Sequence, residues 1–395
     1  MKKQLLLLVI GLLFFSINIP VAAQGNTPIK DWAVQYTYGE QVLFRARVET
    51  PSPIKEASIF FRSKGGDSTT VVPATLDADG WLVYQHQLSR AALRPFAPVE
   101  FWYQLTLEDG ETLTTNQLTF DYIDNRFPWQ VLQDEKLRIH WYAGDLAFGQ
   151  LASDAAHVSL QNIQMLLAVE LTSPVDIYIY ASSPDLRSAL DLGNSPMVAG
   201  QASLDLGAAF VTIAPGAEQG LEIDRQIPHE LAHLLTYQKM GNRYLYLPVW
   251  LREGIASVSE RAPSSDYPVV LSQAVEKGAI IPMSQLCDSF PPDMSSTFQA
   301  YAQSYSFTGY IVDQYGPAGL VALSGAYGDG LGCEQGIEKT LGVSMEELET
   351  RWRHESLNED PFLTASENLT PYFVLFLVVL VAPIWNAFSI SAVKK

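Results

Sequence analysis

Residues 229–233 read His-Glu-Leu-Ala-His and carry the chain's most distinctive chemical pattern. Histidines four positions apart share one face of an α-helix, so His229 and His233 can direct two imidazole nitrogens at one metal ion. Glu230 lies beside them, where its carboxylate can accept a proton from an activated water. The pattern predicts a zinc-binding helix; the structural alternative is a pair of helix histidines with ordinary hydrogen bonds.

A third metal ligand is available in the apolar run 249–258, which contains Glu253. Burying a carboxylate among apolar side chains is costly unless it is paired or binds a metal. Catalytic zinc takes three protein ligands and keeps one position open. We therefore expect one Zn²⁺ per chain, bound by His229, His233 and Glu253. An exposed helix face is the alternative interpretation for this glutamate.

The elements around these residues predict a mixed domain. A helix is expected from about Gln226 to Lys239, with Pro228 in its first turn and Gly241 ending it. Before it we expect strands at 137–142, 175–180 and 208–214 and a helix at 145–169. After residue 222 the chain is expected to be mainly helical to about 357.

The His229–His233 motif and Glu253 within Trp-Leu-Arg-Glu-Gly-Ile-Ala resemble the gluzincin zinc peptidases. The resemblance is to peptidase MA-like domains related to aminopeptidase N and thermolysin, and it covers roughly residues 130–355. It implies a zincin-like fold, zinc on the three ligands, Glu230 as general base, and a peptide or protein substrate.

The same resemblance implies a tyrosine or histidine that stabilises the oxyanion of the reaction. Tyr301 and Tyr305 are the candidates, with core packing as the alternative for each. His157 and His354 are weaker candidates for this role. Orienting partners for the imidazoles are expected among residues such as Ser257 and Glu260.

One departure from the resemblance concerns the substrate's amino terminus. Aminopeptidases of this clan carry Gly-x-Met-Glu-Asn on a strand before the zinc helix, and its glutamate binds the free amine. The corresponding stretch, 200–207, lacks that motif. We therefore expect an endopeptidase rather than an aminopeptidase, with Ala208–Ala214 as the edge strand that pairs with extended substrate.

The remainder of the chain predicts an α+β protein with several parts. Alternating apolar residues and Asp-Gly pairs at 79–80 and 109–110 indicate an immunoglobulin-like or fibronectin-like β-sandwich over 24–125. The zincin-like domain then covers 126–357.

Both ends of the chain are apolar. Residues 1–23 have the layout of a signal peptide, with an uncleaved anchor as the alternative. A linker at 358–371 precedes a predicted C-terminal transmembrane helix at 372–390 and a short cytoplasmic tail at 391–395. The sequence thus predicts a single-pass protein of the cell membrane with its bulk extracytoplasmic.

The formal charge of −18 leaves no basic surface for phosphates and excludes nucleic acid as a partner. Cys287 and Cys333 are the only cysteines, and in an exported domain they predict one disulfide. Two alternatives to a peptidase remain open. One is a catalytically silent surface binding protein on a zincin scaffold, and the other is a metallohydrolase of a non-peptide bond.

Overall fold

The computed structural model describes residues 27–66, 68–89, 92–192, 200–359 and 370–379. The chain divides into two compact units, Met1–Arg126 and Phe127–Lys395. The predicted signal peptide at 1–23 and the predicted tail at 391–395 lie outside the described residues.

Antiparallel strands make up the described part of the first unit. They are β1 (Ile29–Thr37), β2 (Gln41–Val48), β3 (Ile54–Ser63), β4 (Thr70–Leu76), β5 (Leu82–Gln87), β6 (Pro98–Leu107), β7 (Thr112–Thr114) and β8 (Leu118–Asp121). Their order is β1-β2-β5-β4-β3-β6-β7, and β8 also pairs with β6.

The sheet of the first unit folds back on itself. Alternate side chains of β2, namely Val42, Phe44 and Ala46, are fully buried. The Phe44 ring lies 5.1 Å from that of Phe61 on β3 and 5.3 Å from that of Phe101 on β6. Because other strands separate β2 from β6 in the sheet order, this contact requires two facing layers, as in a β-sandwich.

Two Asp-Gly pairs lie in hairpin connections of this unit. Asp79-Gly80 joins β4 to β5, and Asp109-Gly110 joins β6 to β7. Gly80 has φ 80° and Gly110 has φ 89°. Glycine adopts such positive values without the steric cost that a side chain would bring.

A second, mixed sheet lies in the Phe127–Lys395 unit. Its strands are β9 (Gln130–Gln133), β10 (Leu137–Trp141), β11 (Val175–Tyr180), β12 (Gly200–Ser203) and β13 (Ala208–Thr212). The order is β12-β13-β11-β10-β9. Strands β10, β11 and β13 are parallel, whereas β9 and β12 are antiparallel to their neighbours.

The prediction that Ala208–Ala214 forms the edge strand is wrong. Strand β13 lies between β11 and β12, and its Ala-Ala-Phe-Val run is buried. A continuous apolar run is typical of a strand covered on both faces, so this segment belongs inside the sheet. Strand β12 is the edge strand, and it contacts the helix that carries the His-Glu-x-x-His motif.

The helices of the second unit follow and separate these strands. They are α1 (Leu146–Leu167), α2 (Ser183–Leu190), α3 (Gln219–Met240), α4 (Val249–Val258), α5 (Tyr267–Glu276), α6 (Met294–Gly328), α7 (Cys333–Leu341) and α8 (Met345–Leu357). Helices α1 and α3 bury Ile163, Ile227 and Leu231 in one core with Ile139 and Val211 of the sheet. A disulfide joins Cys287 to Cys333.

The predicted start of the zinc helix is wrong by about two turns. Helix α3 begins at Gln219, so Pro228 lies inside it and not in its first turn. The apolar residues Ile223 and Ile227 are both fully buried and continue the helical period towards the N-terminus. Proline was therefore a misleading marker of the helix start.

The α+β architecture, with a β-rich unit before a mainly helical zincin-like unit, agrees with the sequence prediction, but the transmembrane helix does not. In the described part of the chain, no helix is both long and apolar enough to cross a bilayer. Residues 380–390 of the predicted span lie outside the described residues.

Candidate metal centre

Helix α3 presents two imidazoles side by side. His229 and His233 are one helical turn apart, and their ring centroids are separated by 5.0 Å. The opposite face of α3 is anchored by Ile227 and Leu231, which are fully buried. The core contacts of this helix therefore fix the direction in which the two rings project.

Helix α4 brings a carboxylate to the same point. The Glu253 Oε2 atom lies 3.6 Å from His229 Nε2 and 3.7 Å from His233 Nε2. The next residue, Gly254, packs against α6 so closely that a Cβ would be 2.0 Å from Thr308 Oγ1. The glycine thus permits the close approach that places Glu253 beneath the two rings.

Each imidazole has a hydrogen-bond partner at Nδ1, which leaves its Nε2 atom available for a metal. His229 Nδ1 is 2.9 Å from Glu260 Oε1, and His233 Nδ1 is 2.9 Å from the Tyr244 hydroxyl. The Glu260 carboxylate can only accept, so it selects the His229 tautomer in which Nδ1 carries the proton and Nε2 is the ligand, while the Tyr244 hydroxyl orients the His233 ring through Nδ1. One ligand atom from each of His229, His233 and Glu253 lies within 4.8 Å of the others. Two imidazoles and one carboxylate suit zinc.

Glu260 therefore has the orienting position that the sequence suggested, whereas Ser257 Oγ is buried and has no hydrogen-bond partner among the described residues. Tyr244 was not anticipated. It lies in a 3-10 segment, Gly241–Tyr246, and nothing in its spacing from the histidines marks it. Its position depends on how the chain turns between α3 and α4.

A proline links the two ligand helices. Pro228 has no N–H, so the Asp224 carbonyl one turn earlier receives no hydrogen bond from it. That carbonyl accepts hydrogen bonds from the backbone N–H groups of Arg261, at 2.8 Å, and Ala262, at 3.3 Å. The segment immediately after Glu260 is thereby attached to α3 just before His229.

Glu230 is the most unusual carboxylate at the site. It is only 6% exposed, and none of the described residues gives it a hydrogen bond or an ion pair. Burial raises the pKa of Glu230 to about 7; the charge of His229 opposes this and the Glu253 and Glu260 carboxylates add to it. A Cβ on Gly200 of β12 would lie 2.4 Å from Glu230 Oε1, so the edge strand passes directly over this carboxylate.

The two candidate tyrosines on α6 are placed differently. The Tyr301 ring centroid is 6.4 Å from that of His229, and its hydroxyl interacts with Glu253. Burial raises the pKa of Tyr301, and the charges of Glu253 and Glu230 raise it further, so the phenol stays a proton donor. Tyr305 instead packs 5.5 Å from Tyr267.

The two weaker histidine candidates are accounted for elsewhere. His157 lies on α1, where its ring nitrogens contact the Ser153 carbonyl at 2.7 Å and Asp134 at 2.5 Å. His354 lies in the last turn of α8. Within the described residues, neither histidine is in the group formed by His229, His233 and Glu253.

Comparison with known proteins assigns the family. Residues 155–358 match the family model of the peptidase MA superfamily. The chain belongs to this superfamily, and the gluzincin-like resemblance seen in the sequence is confirmed. No curated protein matches the chain in sequence.

Solved structures give remote likenesses. An M1 zinc metallopeptidase variant from Deinococcus radiodurans is 12% identical, with 83% of this chain and 91% of that chain covered and a TM-score of 0.35. A two-domain M1 zinc metallopeptidase variant bound to L-arginine is also 12% identical, covering 83% and 94% with a TM-score of 0.38. A family 56 carbohydrate-binding module, described as a β-1,3-glucan binding domain, is 13% identical, covering 23% and 95% with a TM-score of 0.17.

Proposed function

We propose that the second unit is a zinc endopeptidase in which Glu230 is the general base. The observation that carries this proposal is the convergence of His229, His233 and Glu253 with the buried Glu230 carboxylate, which receives no hydrogen bond from the described residues. Membership of the peptidase MA superfamily supports a peptide or protein substrate. His229, His233 and Glu253 would hold the zinc ion, which would supply Lewis-acid activation of a water molecule and of the scissile carbonyl.

Each residue of the site has a defined task in this proposal. Glu230 accepts a proton from the attacking water and later delivers it to the leaving amine. The Tyr301 hydroxyl donates a hydrogen bond to the oxygen on which negative charge develops. Glu260 holds His229 in one tautomer and orientation through Nδ1, and Tyr244 holds the orientation of the His233 ring through Nδ1.

The edge strand supports an endopeptidase. Strand β12 pairs with β13 on one side, and no described strand pairs with its other side, the edge at which an extended peptide main chain adds to a sheet. Its sequence Gly-Gln-Ala-Ser contains no carboxylate to bind a substrate's free amine. Substrates with blocked amino termini should therefore be cleaved at internal bonds.

The disulfide supports a location in an oxidising compartment. Cys287 and Cys333 are bonded to each other, and such bonds persist mainly in exported proteins. We therefore retain an extracytoplasmic site of action as part of the proposal.

The test combines zinc content with cleavage of casein and of an N-acetylated peptide library. Wild type, Glu230→Gln and a matched control, Glu222→Gln on the same helix, are compared after dialysis. We expect about one zinc in all three proteins, and cleavage reduced about 10²–10⁴-fold in Glu230→Gln alone.

Other outcomes would point elsewhere. Zinc without any cleavage by wild type would favour a silent binding scaffold or hydrolysis of a non-peptide bond. Cleavage only of peptides with free amino termini would replace the endopeptidase by an aminopeptidase. Absence of zinc from wild type would refute the proposal.

A further inference from the structure

The start of α4, which carries Glu253, has no side-chain cap of its own. Its N-cap residue is Pro248, which provides no side-chain hydrogen bond. The first backbone N–H groups of a helix need partners outside it. Val249 at the first position donates to the carbonyl of Cys287, at 2.8 Å. One half of the disulfide therefore provides the missing backbone partner.

The other half of the disulfide contacts the next residue of α4. The Trp250 indole N–H donates to Cys333 Sγ, at 3.3 Å. Trp250 is fully buried, and its ring lies 5.1 Å from Phe307 of α6. Consecutive residues at the start of α4 are thus attached to the two half-cystines, one turn before Glu253.

The disulfide also encloses the helix that carries Tyr301. Cys287 and Cys333 are 46 residues apart in sequence, and α6 (Met294–Gly328) lies entirely between them. The ends of this crosslinked segment contact α4 through Val249 and Trp250. Helix α6 itself packs on α4 beside Gly254, so the crosslinked segment contacts the Glu253 helix at both places.

We propose that the Cys287–Cys333 disulfide and Trp250 are positioning residues for the Glu253 ligand, and that zinc affinity depends on them. The inference rests on the proposed function, because it requires zinc at the site. Free α4 can shift or fray at its uncapped start, which moves the Glu253 carboxylate away from the two imidazoles. Attached to the disulfide, the helix holds the carboxylate in place before the metal arrives.

The test measures zinc affinity by chelator competition and the visible spectrum of the Co²⁺-loaded protein, together with thermal unfolding without metal. The variants are Cys287→Ser/Cys333→Ser, Trp250→Phe and Tyr327→Phe. Tyr327 is the matched control, because its hydroxyl donates to the Cys333 carbonyl, at 2.6 Å, on α7 and makes no bond to α4.

We expect zinc affinity to fall about 10–100-fold in the double serine variant, the range for partners that orient metal ligands. Trp250→Phe should lose about two- to fivefold, as expected for one weak hydrogen bond. Tyr327→Phe should keep wild-type affinity and the wild-type Co²⁺ spectrum while its unfolding temperature falls.

Unchanged zinc affinity in a folded double variant would overturn the inference. If the double variant does not fold, equal affinities in Trp250→Phe and Tyr327→Phe would overturn it instead. A wild-type protein that binds no zinc would refute the proposed function and this inference with it. Zinc bound equally by wild type and all variants would refute this inference alone.

Discussion

Each unit of the molecule buries an acidic side chain, and the two differ in what surrounds it. In the first unit Asp124 is fully buried and receives a bidentate pair from Arg126, with Nε at 2.8 Å and a terminal nitrogen at 2.7 Å. In the second unit Glu230 is 6% exposed and receives no hydrogen bond from the described residues.

The difference distinguishes a carboxylate that stabilises the fold, Asp124, from one that we propose takes part in catalysis, Glu230. A buried charge with a bidentate partner has its desolvation cost offset, and losing the partner is destabilising. A buried carboxylate without a partner lowers stability and is poised to take up a proton. Burial alone therefore does not identify a functional residue. The proposed role of Glu230 rests on burial without a described partner beside the candidate metal site.

The sharpest test of this contrast is Glu230→Gln. We expect catalysis to fall by about 10²–10⁴-fold, because the amide cannot accept the proton of the attacking water. The free energy of unfolding should stay the same or rise, since no described hydrogen bond is lost. Peptide cleavage and urea unfolding of the same preparation measure both quantities. A marked loss of stability would mean that Glu230 is structural, like Asp124.

The reverse result is expected for Asp124→Asn in the first unit. The free energy of unfolding should fall by about 3 kcal/mol, because the Arg126 guanidinium loses its charged partner. Specific activity per folded molecule should not change. Asp31→Asn on exposed β1 is the control and should shift stability by less than about 0.5 kcal/mol. Equal stabilities of the two variants would contradict the structural role of Asp124.

A smaller effect on catalysis is expected from Gly200→Ala. The added Cβ would lie 2.4 Å from Glu230 Oε1, so either the carboxylate or β12 must move. A displacement of about 1 Å at a catalytic group costs on the order of 100-fold in rate, while the zinc ligands are untouched. Peptide-cleavage kinetics measure the loss of rate, and zinc content shows whether the metal site is unchanged. Gly220→Ala, with open space around its Cβ, should leave both unchanged.

The smallest effect is expected at the exposed pair of Asp134 and His157 in the second unit. Backbone N–H groups of Leu137 and Lys136 lower the pKa of Asp134 to about 2, and His157 adds to this. Burial lowers the pKa of His157, but its bonds to the Ser153 carbonyl and Asp134 outweigh this and raise it above 6.5. The side chains are 39% and 46% exposed, so the pair contributes less than about 1 kcal/mol.

The pH dependence of stability follows from the lowered pKa of Asp134 and the raised pKa of His157. The carboxylate stabilises the fold above its unfolded pKa of 3.8, and this is lost as pH falls through about 2. The imidazole stabilises it below 6.5, and this is lost as pH rises through its raised folded value. His157→Gln should therefore lower the unfolding temperature more at pH 6 than at pH 9. An equal shift at both values would show that charge plays no part.

The residues predicted best from sequence were those whose geometry is local. His229 and His233 lie on one face because the helical period puts them there. Glu253 could be anticipated because a carboxylate in an apolar run needs a partner. Strands β10, β11 and β13 were predicted within a few residues because their apolar runs are well bounded, whereas β9 and β12 were not predicted.

Other features depend on contacts that no local pattern encodes. Tyr244 reaches His233 only through the turn between α3 and α4. The short strand β12 has no distinctive period, so its place over Glu230 could not be deduced. The membrane prediction rested on hydropathy alone, and no helix among the described residues is both long and apolar enough to span a bilayer. Ala-Ala-Phe-Val in β13 did carry a usable signal, since uninterrupted apolar runs favour interior strands.

Pro228 leaves the Asp224 carbonyl of α3 available to the backbone of a later segment, which an uninterrupted helix would not do. An alanine there would restore the internal hydrogen bond to the Asp224 carbonyl and improve the helix as an isolated segment. The amide protons of Arg261 and Ala262 would then compete for an acceptor already in use. An alanine at this position would thus strengthen α3 and weaken its attachment to the segment after Glu260. Hydrogen exchange of the Arg261 amide measures this, because the amide is protected only while it donates to the Asp224 carbonyl.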